Sequence, residues 1–139
     1  MAHGWHRDIA VLIARIGIGI VFAAHGWQKL NETTIEGVQQ YFTSINAPLP
    51  EITAYLVTYL ELGGGIALII GALTPVVGLL LFANMTGAFF LVHVENGIFV
   101  TDGGYELVLA LGVSSLMIAA IGAGRISVDA FIPGLRTRA

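Results

Sequence analysis

Residues 51–94, EITAYLVTYLELGGGIALIIGALTPVVGLLLFANMTGAFFLVHV, decide the fold of this chain. They contain two apolar stretches, 51–73 and 75–94, and each approaches the roughly 20 residues that an α-helix needs to cross a bilayer. Little more than Thr74 and Pro75 separates the two stretches, and a proline fits the first turn of a helix because its missing N–H costs nothing there. We therefore predict two transmembrane helices joined as an antiparallel hairpin.

Two further apolar stretches, 9–30 and 105–123, flank this hairpin. The 139 residues are 56% hydrophobic and 11% charged, whereas an average soluble domain has about 25% charged residues. Because so little polar surface is present, lipid must cover much of the outside. The sequence predicts an all-α integral membrane protein, a single domain over residues 1–139 that forms an antiparallel four-helix bundle. No cleavage motif follows the first stretch, so we expect a retained helix rather than a signal peptide.

The segment 33–46, between the first two helices, has a different pattern. Ile35, Val38, Tyr41, Phe42 and Ile45 recur at helical spacing, with polar residues between them. This pattern predicts a short amphipathic helix that lies at the membrane interface or caps the bundle.

The distribution of basic residues predicts the orientation. Arg7 precedes the first helix, and Arg125, Arg136 and Arg138 follow the fourth, whereas the two longer loops contain only Lys29. The positive-inside rule then places both termini in the cytoplasm. The net charge of −3 and the lack of a basic run give no indication of nucleic-acid binding.

Several polar residues fall near the middle of the predicted helices. They are Arg15 in the first helix, Glu61 in the second, Asn84 in the third and the pair Ser114 and Ser115 in the fourth. Charged groups at this depth cost about 2.5–3.5 kcal/mol on insertion scales, so they normally face the bundle interior and find partners. We predict a structural Arg15–Glu61 ion pair, with the amide and hydroxyl groups taking the remaining hydrogen bonds.

A second group of polar side chains is predicted near the outer ends of the helices. The candidates for ligand binding are His25, Lys29, Tyr59, Glu61, His93 and Glu106. A quinone headgroup needs only one or two hydrogen-bonding groups beside an apolar slot, and this group could supply them. A divalent metal, haem ligation by the two histidines and a purely structural polar layer stay open as alternatives. The metal is the weaker interpretation and no metal ligands are assigned, because the histidines lie on different helices and the chain has no cysteine.

Several blocks of this sequence resemble the DoxX family of bacterial membrane proteins. They are RIGIGIVFAAHGWQK at 15–29, ELGGGIALIIG at 61–71, HVENG at 93–97, GGYE at 103–106 and GAGRISVD at 122–129. The resemblance covers nearly the whole chain in order. It implies a location in the bacterial inner membrane and functional residues at Arg15, His25, Lys29, Glu61, His93 and Glu106. Because the sequence contains no redox-active residue or cofactor motif, no intrinsic cofactor is expected.

The resemblance also suggests a function. Some relatives are membrane subunits of a thiosulfate:quinone oxidoreductase, and others are partners in an oxidative-stress complex. The first interpretation is therefore a membrane subunit of a redox or oxidative-stress complex, with a quinone as candidate ligand and electrons arriving from a partner protein. Any enzymatic activity would be at most that of a quinone-linked oxidoreductase subunit. The alternatives are a non-enzymatic accessory subunit of a larger membrane complex and a small-molecule transporter, and self-association stays open.

Overall fold

The computed structural model describes residues 3–136, and most of this range is helical. Helix α1 spans His3–Gln28 and continues through a π-helical turn, Lys29–Thr33. Helix α2 spans Ile35–Ser44, and helix α3 spans Pro50–Ile70. Helix α4 spans Thr74–Ala88 and continues through a π-helical turn, Phe89–His93, and a 3-10 turn, Val94–Asn96, while helix α5 spans Glu106–Ile121. Residues 3–136 form no β-strand, so the all-α class is confirmed. Arg138, used above in the orientation argument, lies outside the described residues.

Within residues 3–136, three helical segments are long and apolar enough to cross a membrane. They are Gly4–Thr33, Pro50–Ile70 and Thr74–Asn96. Helix α5 is apolar but has 16 residues, a length of about 24 Å, which is shorter than the ~30 Å hydrocarbon core of a bilayer. It ends earlier than expected because Gly122 leaves the helix with φ +86°. The fold is thus that of a helical membrane bundle.

Helices α1 and α3 pack closely because glycines lie where their backbones meet. A Cβ atom at Gly26 would overlap the backbone nitrogen of Leu62. A Cβ atom at Gly65 would lie 2.6 Å from the carbonyl oxygen of Gly19 and 2.5 Å from the backbone nitrogen of Ala23. Small residues allow membrane helices to approach in this way. These contacts fix which residues of α1 and α3 lie at the same height.

Helices α4 and α5 form a second close pair, with Gly78 against Ser115 and Gly112 against Met85. The two pairs enclose a core, and its buried members come from α1, α3, α4 and α5: Phe22, Leu68, Leu81, Met85, Val108 and Ile118. The amphipathic helix α2 packs against α3.

The C-terminal segment closes one end of the bundle, called here the terminal end. The carboxylate of Asp129, which is 1% exposed, accepts hydrogen bonds from the backbone nitrogens of Leu73 (2.6 Å) and Thr74 (2.8 Å) at the start of α4. Arg125 forms an ion pair with buried Asp8 of α1. The opposite end, formed by the π-helical turn after α1, helix α2 and the segment between α4 and α5, is called the loop end.

Candidate ligand-binding site

A partly buried ion pair joins α3 to the π-helical continuation of α1, towards the loop end. The Nζ atom of Lys29 lies 2.6 Å from Oε2 of Glu61, and the second carboxylate oxygen, Oε1, accepts a hydrogen bond of 3.1 Å from the Nδ2 atom of Asn84 on α4. The side chain of Glu61 is 5% exposed and that of Lys29 is 24% exposed. Three helices therefore converge on one carboxylate, and both of its oxygens have partners.

The predicted Arg15–Glu61 ion pair is wrong. The Nη2 atom of Arg15 instead donates to the carbonyl oxygen of Ile126 at 2.7 Å, at the terminal end of the bundle. The reason is the height at which α1 and α3 meet. Because Gly26 contacts Leu62, the α1 side chain level with Glu61 is that of Lys29, about one turn further on. Arg15 lies eleven residues before Gly26, about 16 Å along the helix axis.

The ion pair faces a cavity of about 590 Å³ between the helices. Its walls are mostly apolar and come from all five helices, with Phe22, Phe42, Val57, Leu91, Leu107 and Leu111 among them. Binding sites for small molecules typically measure about 300–1,000 Å³ and combine apolar walls with a few polar groups. The cavity therefore has the size and composition of a small-molecule site.

Helix α2 covers part of this cavity through its apolar face. Tyr41, Phe42 and Ile45 line the cavity, and the Nε2 atom of Gln39 donates to the carbonyl oxygen of Glu51 at 3.1 Å, which ties α2 to the start of α3. The sequence pattern identified the amphipathic face but not that it would form a wall of a ligand site.

Two histidines complete the polar lining. His25 on α1 is exposed and lies at the cavity rim, with its Nδ1 atom 2.9 Å from the carbonyl oxygen of Val21. His93 ends the π-helical turn after α4, and its Nδ1 atom lies 2.7 Å from the carbonyl oxygen of Gly103. Lys29 begins the other π-helical turn, and such turns frequently occur at functional sites. Four of the six candidate ligand residues, His25, Lys29, Glu61 and His93, thus line one cavity.

The other two candidates do not line this cavity. Tyr59 is 52% exposed and its ring stacks on that of Tyr55, with centroids 6.4 Å apart. It precedes Glu61 by two positions, which places the two side chains about 200° apart around α3. The Oε1 atom of Glu106 accepts a hydrogen bond of 3.1 Å from the backbone nitrogen of Val100, so Glu106 is engaged in the loop before α5.

Residues 3–136 contain no group of three or more histidine, cysteine, aspartate and glutamate side chains placed to hold a metal ion. The site that these residues form is a mostly apolar pocket with a charged pair on its wall. This places the chain among helical membrane proteins that carry a polar cluster within the bundle.

Comparison with known proteins identifies the family. The DoxX family model matches residues 10–94, and this chain belongs to the DoxX family. It is 31% identical over 125 residues to the protein named "Putative oxidoreductase CatD" of Bacillus subtilis (strain 168), covering 90% of this chain and 88% of that protein. It is 33% identical over 126 residues to "Inner membrane protein YqjF" of Escherichia coli (strain K12), covering 88% and 92% of the two chains. No solved structure matches the chain. The resemblance read from the sequence is confirmed, and the protein is a bacterial membrane protein.

Proposed function

We propose that this DoxX-family protein is the membrane subunit of a redox complex and that it binds a quinone in the cavity beside Lys29 and Glu61. The observation that carries the proposal is the ion pair of 2.6 Å, hydrogen-bonded to Asn84 and set in the wall of an apolar cavity of about 590 Å³. The relative of Bacillus subtilis whose printed name describes an oxidoreductase agrees with a redox role.

The membrane arrangement in this proposal is an antiparallel bundle of four crossing helices. Four helix ends meet at the terminal end: the start of α1, the end of α3, the start of α4 and the end of α5. This alternation of starts and ends supports the antiparallel arrangement. Asp129 contacts the start of α4 there, and Arg7 donates to the carbonyl oxygen of Ile121 at 2.9 Å. Arg7 and Arg125 lie on this side, and Arg136 follows in the C-terminal segment, so the positive-inside rule favours a cytoplasmic terminal end. The cavity then lies in the outer half of the membrane.

The available polar atoms suit a quinone carbonyl. The ammonium group of Lys29 has three N–H donors and uses one on Glu61, so two are left for a ligand. Glu61 balances the charge of Lys29 and holds it at the cavity wall, while the apolar walls exclude water and accommodate a ring. A bound quinone would supply the capacity to accept two electrons and two protons. The electrons would come from a partner protein.

Quinone binding to the purified protein in lipid nanodiscs tests this proposal. We expect decylubiquinone to bind with saturable heat in titration calorimetry and to raise the melting temperature. Lys29→Met removes the donor and should weaken binding by about tenfold or more, the loss of a hydrogen bond to a charged group. Tyr59→Phe is the matched control, because Tyr59 lies outside the cavity, and it should bind as the wild type does.

Failure of the wild-type protein to bind any quinone would contradict the proposal. If the protein then co-purified with a larger membrane complex, the accessory-subunit interpretation would replace it. Equal loss of binding in Lys29→Met and Tyr59→Phe would also count against the cavity as the site.

A further inference from the structure

The two histidines of the cavity have defined tautomers. A carbonyl oxygen can only accept a hydrogen bond, so the Nδ1 atom of His25 must carry the proton that it shares with Val21 at 2.9 Å. The same argument holds for His93, whose Nδ1 atom lies 2.7 Å from the carbonyl oxygen of Gly103. In a neutral imidazole the other ring nitrogen, Nε2, is then an acceptor. In this neutral form each histidine therefore has one acceptor atom, and no donor, left for a ligand.

Asn84 contributes another acceptor. Both oxygens of Glu61 accept hydrogen bonds, so the amide group of Asn84 must present its nitrogen to Glu61. Its oxygen, Oδ1, is the atom that stays available. The cavity thus combines donors on Lys29 with acceptors on His25, His93 and Asn84, and the hydroxyl group of Tyr41 can serve as either.

A quinone and its reduced form, the quinol, differ in how well they match these hydrogen-bond donors and acceptors of the cavity. The two oxygens of a quinone ring are acceptors only, whereas the two hydroxyl groups of a quinol can each donate and accept. A quinone can use Lys29 but leaves the acceptor atoms without a hydrogen-bond donor. A quinol hydroxyl can donate to a histidine Nε2 or to Asn84 while another accepts from Lys29.

Resting on the function proposed above, we propose that the cavity binds the quinol form in preference to the quinone form. The predicted preference is about tenfold, the effect of roughly one additional net hydrogen bond. Discrimination by donors and acceptors arises because a polar group left without a partner in the site disfavours the wrong ligand. His93 and Asn84, which are half-buried, contribute more to this effect than the exposed His25. The protein would then stabilise the reduced form in the membrane.

The test compares decylubiquinol and decylubiquinone on the intact protein in nanodiscs, under anaerobic conditions at pH 8. Titration calorimetry of the wild-type protein should give a dissociation constant about tenfold lower for the quinol. His93→Phe and the double variant with His25→Phe should weaken quinol binding and leave quinone binding nearly unchanged, which brings the ratio towards one. His6→Phe is the matched control, since His6 is exposed on α1 and does not line the cavity, and it should keep the wild-type ratio.

The outcomes separate this inference from the function on which it rests. Equal affinity of the wild-type protein for both forms, or tighter binding of the quinone, overturns the preference and leaves the quinone site standing. Binding of neither form overturns both. The wild-type ratio decides the matter even if a histidine variant fails to fold, and far-ultraviolet circular dichroism identifies such a variant.

Discussion

Replacing Glu61 with leucine removes the carboxylate on which α1, α3 and α4 converge. Two hydrogen bonds to a charged group are lost, and each contributes about 1.5–3 kcal/mol. The ammonium group of Lys29 also loses its partner, but its side chain is 24% exposed and can turn partly towards water, which lowers the penalty. Since leucine recovers some apolar burial, we expect Glu61→Leu to reduce the free energy of unfolding by about 2–4 kcal/mol.

A double-mutant cycle with Lys29→Met isolates the ion pair from these other effects. Lys29→Met alone should also destabilise, because it leaves a buried carboxylate without its cation. The double variant replaces the pair by two apolar side chains and should cost less than the sum of the single changes, with a coupling energy of about 2 kcal/mol. Reversible unfolding in mixed micelles of dodecylmaltoside and sodium dodecyl sulfate, followed by circular dichroism, measures each free energy.

The control cycle pairs Lys29→Met with Glu106→Leu, because Glu106 bonds to the loop before α5 and not to Lys29. That cycle should be additive. Additive effects for Lys29 and Glu61, within about 0.5 kcal/mol, would refute the ion pair and the register of α1 against α3 that produces it.

Three further predictions concern packing, capping and the cavity wall. Gly65→Ala should destabilise the protein by about 2 kcal/mol or more, because its Cβ atom would lie 2.6 Å from a carbonyl oxygen of α1. Gly63→Ala is the control, since Gly63 has open space around it, and it should be neutral or stabilising in the same unfolding assay. Comparable effects of the two changes would contradict the described helix contact. Asp129→Asn should lower the free energy of unfolding by about 1–3 kcal/mol, because it weakens two hydrogen bonds to backbone nitrogens at the start of α4. Asp102 is exposed, so the control Asp102→Asn should have a free energy of unfolding within about 0.5 kcal/mol of the wild type. Phe42→Ala should weaken decylubiquinone binding several-fold in calorimetry by removing part of the cavity wall, while unchanged affinity would show that α2 does not contribute to the site.

The helices could be predicted from hydropathy, because spanning a bilayer requires long apolar stretches that are visible in the sequence. The amphipathic helix α2 was likewise visible as a face of Val38, Phe42 and Ile45. Hydropathy does not predict which residues of two packed helices lie at the same height. Gly26 sets that height through its contact with Leu62. Because this contact is not visible in the sequence, depth in the apolar stretches alone predicts Arg15 rather than Lys29 as the partner of Glu61.

The sequence predicts most of the polar residues of the candidate site, but not how they are arranged around the cavity. His25, Lys29, Glu61 and His93 were identified because polar groups within apolar helices are costly and need partners, and the structure brings them to one cavity. Tyr59 was included only because of its height in the membrane, and its direction around α3 excludes it from the cavity wall. Asp129 belongs to the family-like block 122–129, but nothing in the sequence indicates that its carboxylate is buried or that it caps α4.

Photo-cross-linking with an azido derivative of decylubiquinone, followed by mass spectrometry of the labelled peptides, tests the central claim most directly. If the quinone binds in the cavity beside Lys29 and Glu61, labels should fall on the cavity faces of α1 and α2, at residues 22–29 and 41–45, and excess unlabelled quinone should remove them. The lipid-facing pair Tyr55 and Tyr59 should be labelled weakly and without competition. Labelling spread over the lipid-facing side chains, and unaffected by unlabelled quinone, would contradict a quinone site in this cavity.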